Sequence, residues 1–570
     1  MKKFLSVVLA MVMMLSLAAT AGAANTYNDM PAGWSHDAMQ AAVDNGIMSG
    51  NEKGQLMPKG TVTRAQAATM LVNALGGTVK ADISKFTDVK SGDWFYEKMA
   101  VAVNMGLFAG TGSKLEPNKA LTREQAAVVI SSALWLMDKT ADMSKFADSA
   151  KISAWAKDGV AEMVKAGYMS GSGSMINPQS SITREEFAQI LYSVVEKYIS
   201  QTGTYKDTVD GNLVVRGKDV TLDGATVKGD LIVGDGAGDS TITVKNTTIG
   251  GRVVVRGGGA NSVVFTNTKL GTVVVARPDG AVRVSTDAAS TPAEVFAEAG
   301  KQEIILTGTI KTAIIETATP VIFDKATVQM VTVTEPEANV TASDSASIGN
   351  LTVNKAATST KVNVESTAKV DRVAADSNGV SVTGTGSVGL VSASVSASNV
   401  TVTTPNTDIV NNGSTPVETS KGNVPTGYTG TTNQSGEVGA VTPIVYYKMT
   451  ITLKDNTGKE ADISAATTSL YLDKSSLFYA EAAGLYDEKK GELRKAYDDQ
   501  EALALADAAY SSYHSDGAWS AFTTTYASQL TGFSSFSSRN VTFGDLVGTH
   551  QVSYKNSTGN YTVTVIIAAR

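Results

Sequence analysis

Three arginines occupy the same place in three short segments: Thr63-Arg64-Ala65-Gln66, Thr122-Arg123-Glu124-Gln125 and Thr183-Arg184-Glu185-Glu186. A threonine followed three residues later by Gln or Glu is a capping box, which opens a helix by satisfying its first backbone N–H groups. That accounts for the threonines and the closing residues and leaves the arginines unexplained. A cation in the first turn faces the positive end of the helix dipole, at a cost of about 0.3–1 kcal/mol. Its recurrence implies that each arginine meets an anion. That anion is a ligand, to which free N–H groups of the turn also donate, or a carboxylate of a neighbouring unit, Asp29, Asp88 or Asp148; a solvated bystander is the third option. Trp34, Trp94 and Trp155 recur at the same interval, and two roles fit them, core packing and stacking on a sugar ring.

The remaining chemistry is sparse. The chain has no cysteine, and its histidines are His36, His514 and His550. Thiolate chemistry is excluded throughout, and imidazole chemistry is excluded from residues 37–513. Asp230, Asp235 and Asp239 cluster with Arg252 and Arg256, but Gly234-Asp235-Gly236-Ala237-Gly238-Asp239 reads as a glycine-rich turn in preference to a calcium loop. No metal, no cofactor and no enzymatic activity are expected. A net charge of −7 and a pI near 5.3 argue against a nucleic-acid partner.

The elements that must position the arginines and tryptophans form a repeat. Tyr27-Asn28-Asp29, Phe86-Thr87-Asp88 and Phe146-Ala147-Asp148 open the copies. The tryptophans follow, then Gly46, Gly106 and Gly167, then Pro58, Pro117 and Pro178, and last the capping boxes. Met99, Val103 and Leu107 fall at helical spacing, and Gly106 stands where that helix should end. Each copy reads as helix, loop, helix.

These openings, the spacing of Trp to Gly, and the segments TVTRAQAA, ALTREQAA and SITREEFA resemble S-layer homology domains, here 24–80, 81–140 and 141–203. The resemblance implies an all-α pseudo-trimeric bundle that binds secondary cell-wall polysaccharide, commonly pyruvylated. A pyruvyl ketal carries a carboxylate, an anion of the kind the arginines require. Arg64, Arg123 and Arg184, the three tryptophans, the opening aspartates and the glycine loops would then line the grooves. The third copy departs from the pattern at Ala147-Asp148-Ser149 and Gly171-Ser172-Gly173-Ser174, which predicts a weaker groove there.

Residues 207–410 carry a second repeat of about 20 residues in Val/Thr/Ile runs. Its copies include Val227–Leu231, Ile249–Val253, Leu270–Val273, Ile310–Ile314, Val328–Val331, Ile348–Leu351, Val370–Val373 and Val388–Val391. One double interval places a degenerate copy around 293–297. The pattern predicts a right-handed parallel β-helix of nine or ten coils, on the order of 45 Å long, with Asn246 and Asn267 stacked as an amide ladder. A pair of β-sandwiches is the alternative. The region resembles the β-helical rods that follow S-layer homology triplets.

Residues 1–23 read as a signal peptide, 411–445 as a flexible linker and 446–570 as a small α+β domain. That domain should contain a strand over 446–453, a helix over 485–512 and a terminal hairpin, 551–554 with 561–567. The whole reads as a secreted, non-enzymatic protein of the cell wall or S-layer, with no membrane segment after signal cleavage and with self-association in a surface layer. An adhesin acting through 446–570 and an anchored polysaccharide-active enzyme are the competing readings.

Overall fold

The computed structural model describes residues 27–428, apart from 137–139 and 299, together with strands at 446–454, 460–462, 467–472, 478–483, 494–496, 548–556 and 559–569. The expected signal peptide lies outside these residues.

Among the described residues six α-helices form the N-terminal bundle: α1 (His36–Asp44), α2 (Arg64–Leu75), α3 (Tyr96–Asn104), α4 (Arg123–Leu134), α5 (Lys157–Lys165) and α6 (Arg184–Val194). All three capping boxes are formed on α2, α4 and α6. Gly46, Gly106 and Gly167 follow α1, α3 and α5 with φ of 64°, 75° and 76°, a left-handed turn that favours glycine. Each first helix packs on the second helix of the unit before it: α3 on α2, α5 on α4, and α1 on α6, which closes a ring. At its centre Val62 N–H donates to the Ile182 carbonyl, Leu121 to Val62 and Ile182 to Leu121, at 2.9, 2.8 and 3.0 Å. These three side chains are fully buried.

A β-solenoid of about 11 turns follows. One parallel stack runs from Lys197–Ile199 to Asp408–Asn411, and a second from Gly203–Tyr205 to Val417–Thr419. The stacking therefore starts before residue 207 and continues past 410, with more turns than the nine or ten expected. Part of the segment expected to be linker, up to Val424, is ordered as its last coil. There Gly422–Val424 pairs antiparallel with Val417–Thr419, and Asn411 Nδ2 donates to the carbonyls of Thr415 and Val424.

Strand register follows the repeat. Ile310, Val328, Ile348, Val370 and Val388 are successive partners. The degenerate copy is present as the strand Glu294–Ala297, paired on both sides. One inward column comprises Leu231, Val253, Val273, Val295, Ala313, Val331, Leu351, Val373, Val391 and Ile409, none more than 1% exposed. The repeat pattern placed Ile314 in that column. Ala313 holds the place instead, and the half-buried Ile314 pairs with Phe296 and Thr332. The amide ladder forms, with Asn267 Nδ2 donating to Asn246 Oδ1 at 2.8 Å and Asn246 Nδ2 to Asp223 Oδ1 at 2.9 Å.

Bundle and solenoid share one core. In the strands Leu213–Val215, Leu231–Val233 and Val253–Val255 every residue is buried, and Val214, Ile232 and Val254 join the helical core. Unbroken apolar strands are the mark of a sheet covered on both faces. Later strands such as Val331-Thr332-Val333 alternate buried with half-buried residues.

Polar side chains of the solenoid meet the ends of the helices. Arg216 donates to the carbonyls of Asn45 and Asn73 at 2.6 and 2.5 Å, just past α1 and in the last turn of α2. Arg256 donates to Met105 after α3 at 3.2 Å, and Arg252 to Trp135 after α4. Asn212 Nδ2 donates to Val194, the last residue of α6, at 2.8 Å. Terminal carbonyls lack intrahelical donors and carry the negative end of the dipole, so a guanidinium satisfies both needs.

A second unit, Tyr428–Arg570, contains an antiparallel sheet in which the 446–454 strand lies between 467–472 and 559–569. The 548–556 and 559–569 strands pair up to Asn556 opposite Gly559. Of the helix expected over 485–512 only Arg494–Ala496 is described, as a strand; the rest lies outside the described residues.

Arg256 forms a fully buried ion pair with Asp235 at 2.8 Å. Arg256→Ala would leave that carboxylate buried without its partner, and a loss of about 3–5 kcal/mol is expected in the denaturant-unfolding free energy of the bundle–solenoid unit. A loss under about 1 kcal/mol would show that the pair does not hold the junction.

Candidate functional site

Each arginine reaches across a junction between units. Arg64 Nε donates to the Leu115 carbonyl at 2.9 Å and its Nη2 to Ala109 at 3.0 Å. Arg123 binds the carbonyls of Ile176 and Ser170 at 3.1 and 3.0 Å, and Arg184 those of Leu56 and Ser49 at 2.6 and 2.8 Å. The pattern is cyclic, so the third unit closes onto the first. The arginines thus bind backbone carbonyls of the next unit, and the inter-unit carboxylate pairing with Asp29, Asp88 and Asp148 is not formed. Arg123 alone adds a carboxylate, Glu186, at 3.4 Å. Burial lowers the pKa of Arg64 and Arg184, opposed by Glu116 and Asp88 at the first and by Asp29 and Tyr27 at the second.

The first-turn N–H groups are occupied as well. The N–H of Arg64 and Ala65 donate to Lys119 and Pro117, those of Arg123 and Glu124 to Ser180 and Pro178, and those of Arg184 and Glu185 to Gly60 and Pro58. The threonine of each box takes the third. The helix N-termini therefore offer no free donors to a ligand, contrary to the expectation drawn from the dipole. Only the remaining guanidinium N–H groups could take an external anion.

The opening aspartates hold the loops that the arginines read. Asp29 accepts from the N–H of Leu56 and Met57, both at 2.7 Å. Asp88 accepts from Leu115 and Glu116 at 2.9 and 2.8 Å, and Asp148 from Ile176 and Asn177, both at 2.8 Å. Met57, Glu116 and Asn177 all have φ between 52° and 54°, a left-handed turn that the aspartate pins just before each proline. The third copy keeps this geometry, including the Ser172–Met175 bridge that matches Thr111–Lys114 in the second.

Trp34, Trp94 and Trp155 are 60%, 66% and 59% exposed. The core-packing role is excluded for them; three equivalent indoles stand in solvent on the bundle surface. Gly46, Gly106 and Gly167 have open space where a side chain would begin. The clustered aspartates of 230–239 are engaged in ion pairs: Asp230 with Arg252, Asp235 with Arg256 and Asp239 with Arg277. Among the described residues no group of three or more His, Cys, Asp or Glu is placed to hold a metal.

Sequence reasoning passed over Arg216, Arg252 and Arg256 as partners of helix ends. Their signal was available in the unbroken Val-Val runs that precede Arg216 and Arg256.

Residues 26–68, 85–127 and 145–188 match the S-layer homology domain model. The chain is 35% identical over 183 residues to the surface-layer 125 kDa protein of Lysinibacillus sphaericus, 31% of this chain and 15% of that one. It is 32% identical over 177 residues to an exoglucanase of Acetivibrio thermocellus, 30% of this chain and 16% of that one. It is 28% identical over 237 residues to the S-layer protein sap of Bacillus anthracis, 40% of this chain and 28% of that one. The aligned segment thus spans under a third of each relative's length. The chain carries three S-layer homology domains and is a secreted, cell-wall-associated surface protein.

Asp148 is 3% exposed. Burial raises its pKa, but the amides of Ile176, Asn177 and Asp148 itself, with the charge of Lys151, together outweigh it, and the net shift is downward. The stability it contributes is present above about pH 4 and lost as the pH falls through the depressed folded value. Asp148→Asn should lower the melting temperature at pH 7 and reduce the difference between melting temperatures at pH 7 and pH 3. An undiminished difference would show that this carboxylate does not govern the acid limb.

Proposed function

We propose that this chain, with its three S-layer homology domains, is a structural protein held non-covalently to secondary cell-wall polysaccharide. In this reading the bundle is the anchor, the solenoid is a right-handed β-helical spacer, and 446–570 meets neighbouring copies in a surface layer. The observation that carries it is the triple recurrence of an exposed indole at the same place in each unit of the bundle. Exposed large aromatics that repeat with a fold's symmetry have no packing role, and they suit the apolar faces of sugar rings.

The electrostatics agree. Helix carbonyl ends meet solenoid arginines, so the positive helix ends point away from the rod, where Arg64, Arg123 and Arg184 add charge. An anionic substituent such as a pyruvyl ketal would use their remaining N–H groups. An anchored polysaccharide-active enzyme is the second reading, favoured by the exoglucanase match. That match is confined to the S-layer homology region, which speaks for a shared anchor.

The full chain should sediment with native wall sacculi and stay in solution once the secondary polymer is chemically stripped. Trp34→Ala combined with Trp94→Ala should weaken sedimentation several-fold at an unchanged melting temperature. Equal binding to stripped peptidoglycan, or no effect of the double variant, would overturn the proposal.

A further inference from the structure

Lys98 of α3 is half-buried and meets a neutral group. Its Nζ donates to Asn73 Oδ1, in the last turn of α2, at 2.6 Å. Among the described residues it forms no ion pair, and burial lowers its pKa with no carboxylate opposing the shift. Glu97, beside it in sequence, is paired with Lys80. An ammonium has three N–H donors, and the amide takes one of them. A cation that has shed part of its water for a single neutral acceptor is poised for an anion.

The three junctions differ at this place. At the second, Trp155 and Gly159 share one wall with Val128 and Ser132 of α4. The matching residues of the first are Trp94, Lys98, Thr69 and Asn73, which sets the ammonium on the wall that carries the exposed indole. At the third, the buried Ala38 takes the place of Lys98, and Ser193 that of Asn73. A cation four residues after the tryptophan is thus confined to the first junction. The second has Asp158 and Glu162 on this wall, and Val101 holds the place of Glu162 at the first. Arg64 opens α2 and Asn73 lies in its last turn, so Arg64 and the tethered ammonium are about 13 Å apart along the helix.

We infer that Lys98 is a specificity-determining residue of the first junction, its ammonium binding an anionic substituent, carboxylate or phosphate, on a sugar that stacks against Trp94. The inference rests on the polysaccharide reading above for its ligand class, and it adds a choice among the junctions. Arg64 and Lys98 give the first junction two separate points for negative charge. The other two lack the second point, so the acidic segment of the polymer goes to the first.

The test titrates the full chain calorimetrically with polysaccharide released from Gram-positive wall sacculi. Three preparations are used: native, with carboxylates reduced to alcohols, and with phosphates removed. Lys98→Met keeps the apolar stem and removes the charge; it should weaken binding of the native polymer about tenfold and flatten its dependence on salt. Lys98→Arg should recover most of that loss. Asn73→Ala cuts the tether and keeps the charge, so it should bind as wild type, whereas a merely structural Lys98 would make it resemble Lys98→Met. The Lys98→Met loss should vanish on the preparation that lacks the bound group, which tells carboxylate from phosphate. Wild-type affinity in Lys98→Met, an equal loss in Asn73→Ala, or a loss that survives both treatments would overturn the inference and leave the anchoring proposal standing. Failure of the wild type to bind the native polymer would remove both.

Discussion

The first two N–H groups of α2, α4 and α6 are bonded by carbonyls of the following unit, and the carbonyls just past α1, α3 and α4 are bonded by side chains of the solenoid. A helix cannot satisfy its own ends, and here the missing partners are supplied by other parts of the chain. No single copy of the repeat could complete this arrangement. The ring of Val62, Leu121 and Ile182 closes only when three units are present, and the arginine contacts close with it. The repeat number is therefore a consequence of hydrogen-bond satisfaction as much as of apolar burial.

The same constraint governs how bundle and rod are joined. The early solenoid strands bury both faces, one in their own interior and one against the helices, and Arg216, Arg252 and Arg256 stand beside them at the helix ends. Arg216 also lies over the Tyr198 ring at 4.9 Å. Burial lowers the pKa of this guanidinium, and the tyrosine opposes the shift. Bundle and solenoid share one core, so anything held by the helices would also orient the first coils of the rod.

Much of this was legible in the residues. The capping boxes, the glycine turns, the coil register and the degenerate copy at 293–297 all follow from local rules that act within one repeat. The tryptophans and arginines were harder to read. Trp34, Trp94 and Trp155 lie ahead of helices that begin at His36, Tyr96 and Lys157, so the helical period that buries Met99 does not reach them. The arginines bind backbone carbonyls in another unit, and a carbonyl leaves no mark in sequence. The slip from Ile314 to Ala313 has another origin: within the single strand Ile304–Ile315 the buried positions pass from Ile310 to Ala313 and Ile315, a change of parity that simple alternation does not show.

Pseudo-symmetry does not make the junctions alike. Residue 65 is alanine where the other units have Glu124 and Glu185. Glu124 binds Ser153 and Gln179 across its junction, and Glu185 binds Ser35 and Lys59 across the next. Arg123 carries Glu186 as a counter-ion, and Arg184 is 6% exposed. Arg64 is half-buried, with a glutamine at the place that Glu186 holds in the third unit. Its fixed contacts are two carbonyls and, at 5.2 Å, the Phe108 ring. Glu116 and Asp88 act on Arg64 from nearby, whereas Arg123 has a carboxylate in contact that an incoming anion would have to displace. The three junctions therefore differ in what stands beside the arginine: Glu186 contacts Arg123, whereas the contacts of Arg64 and Arg184 are backbone carbonyls.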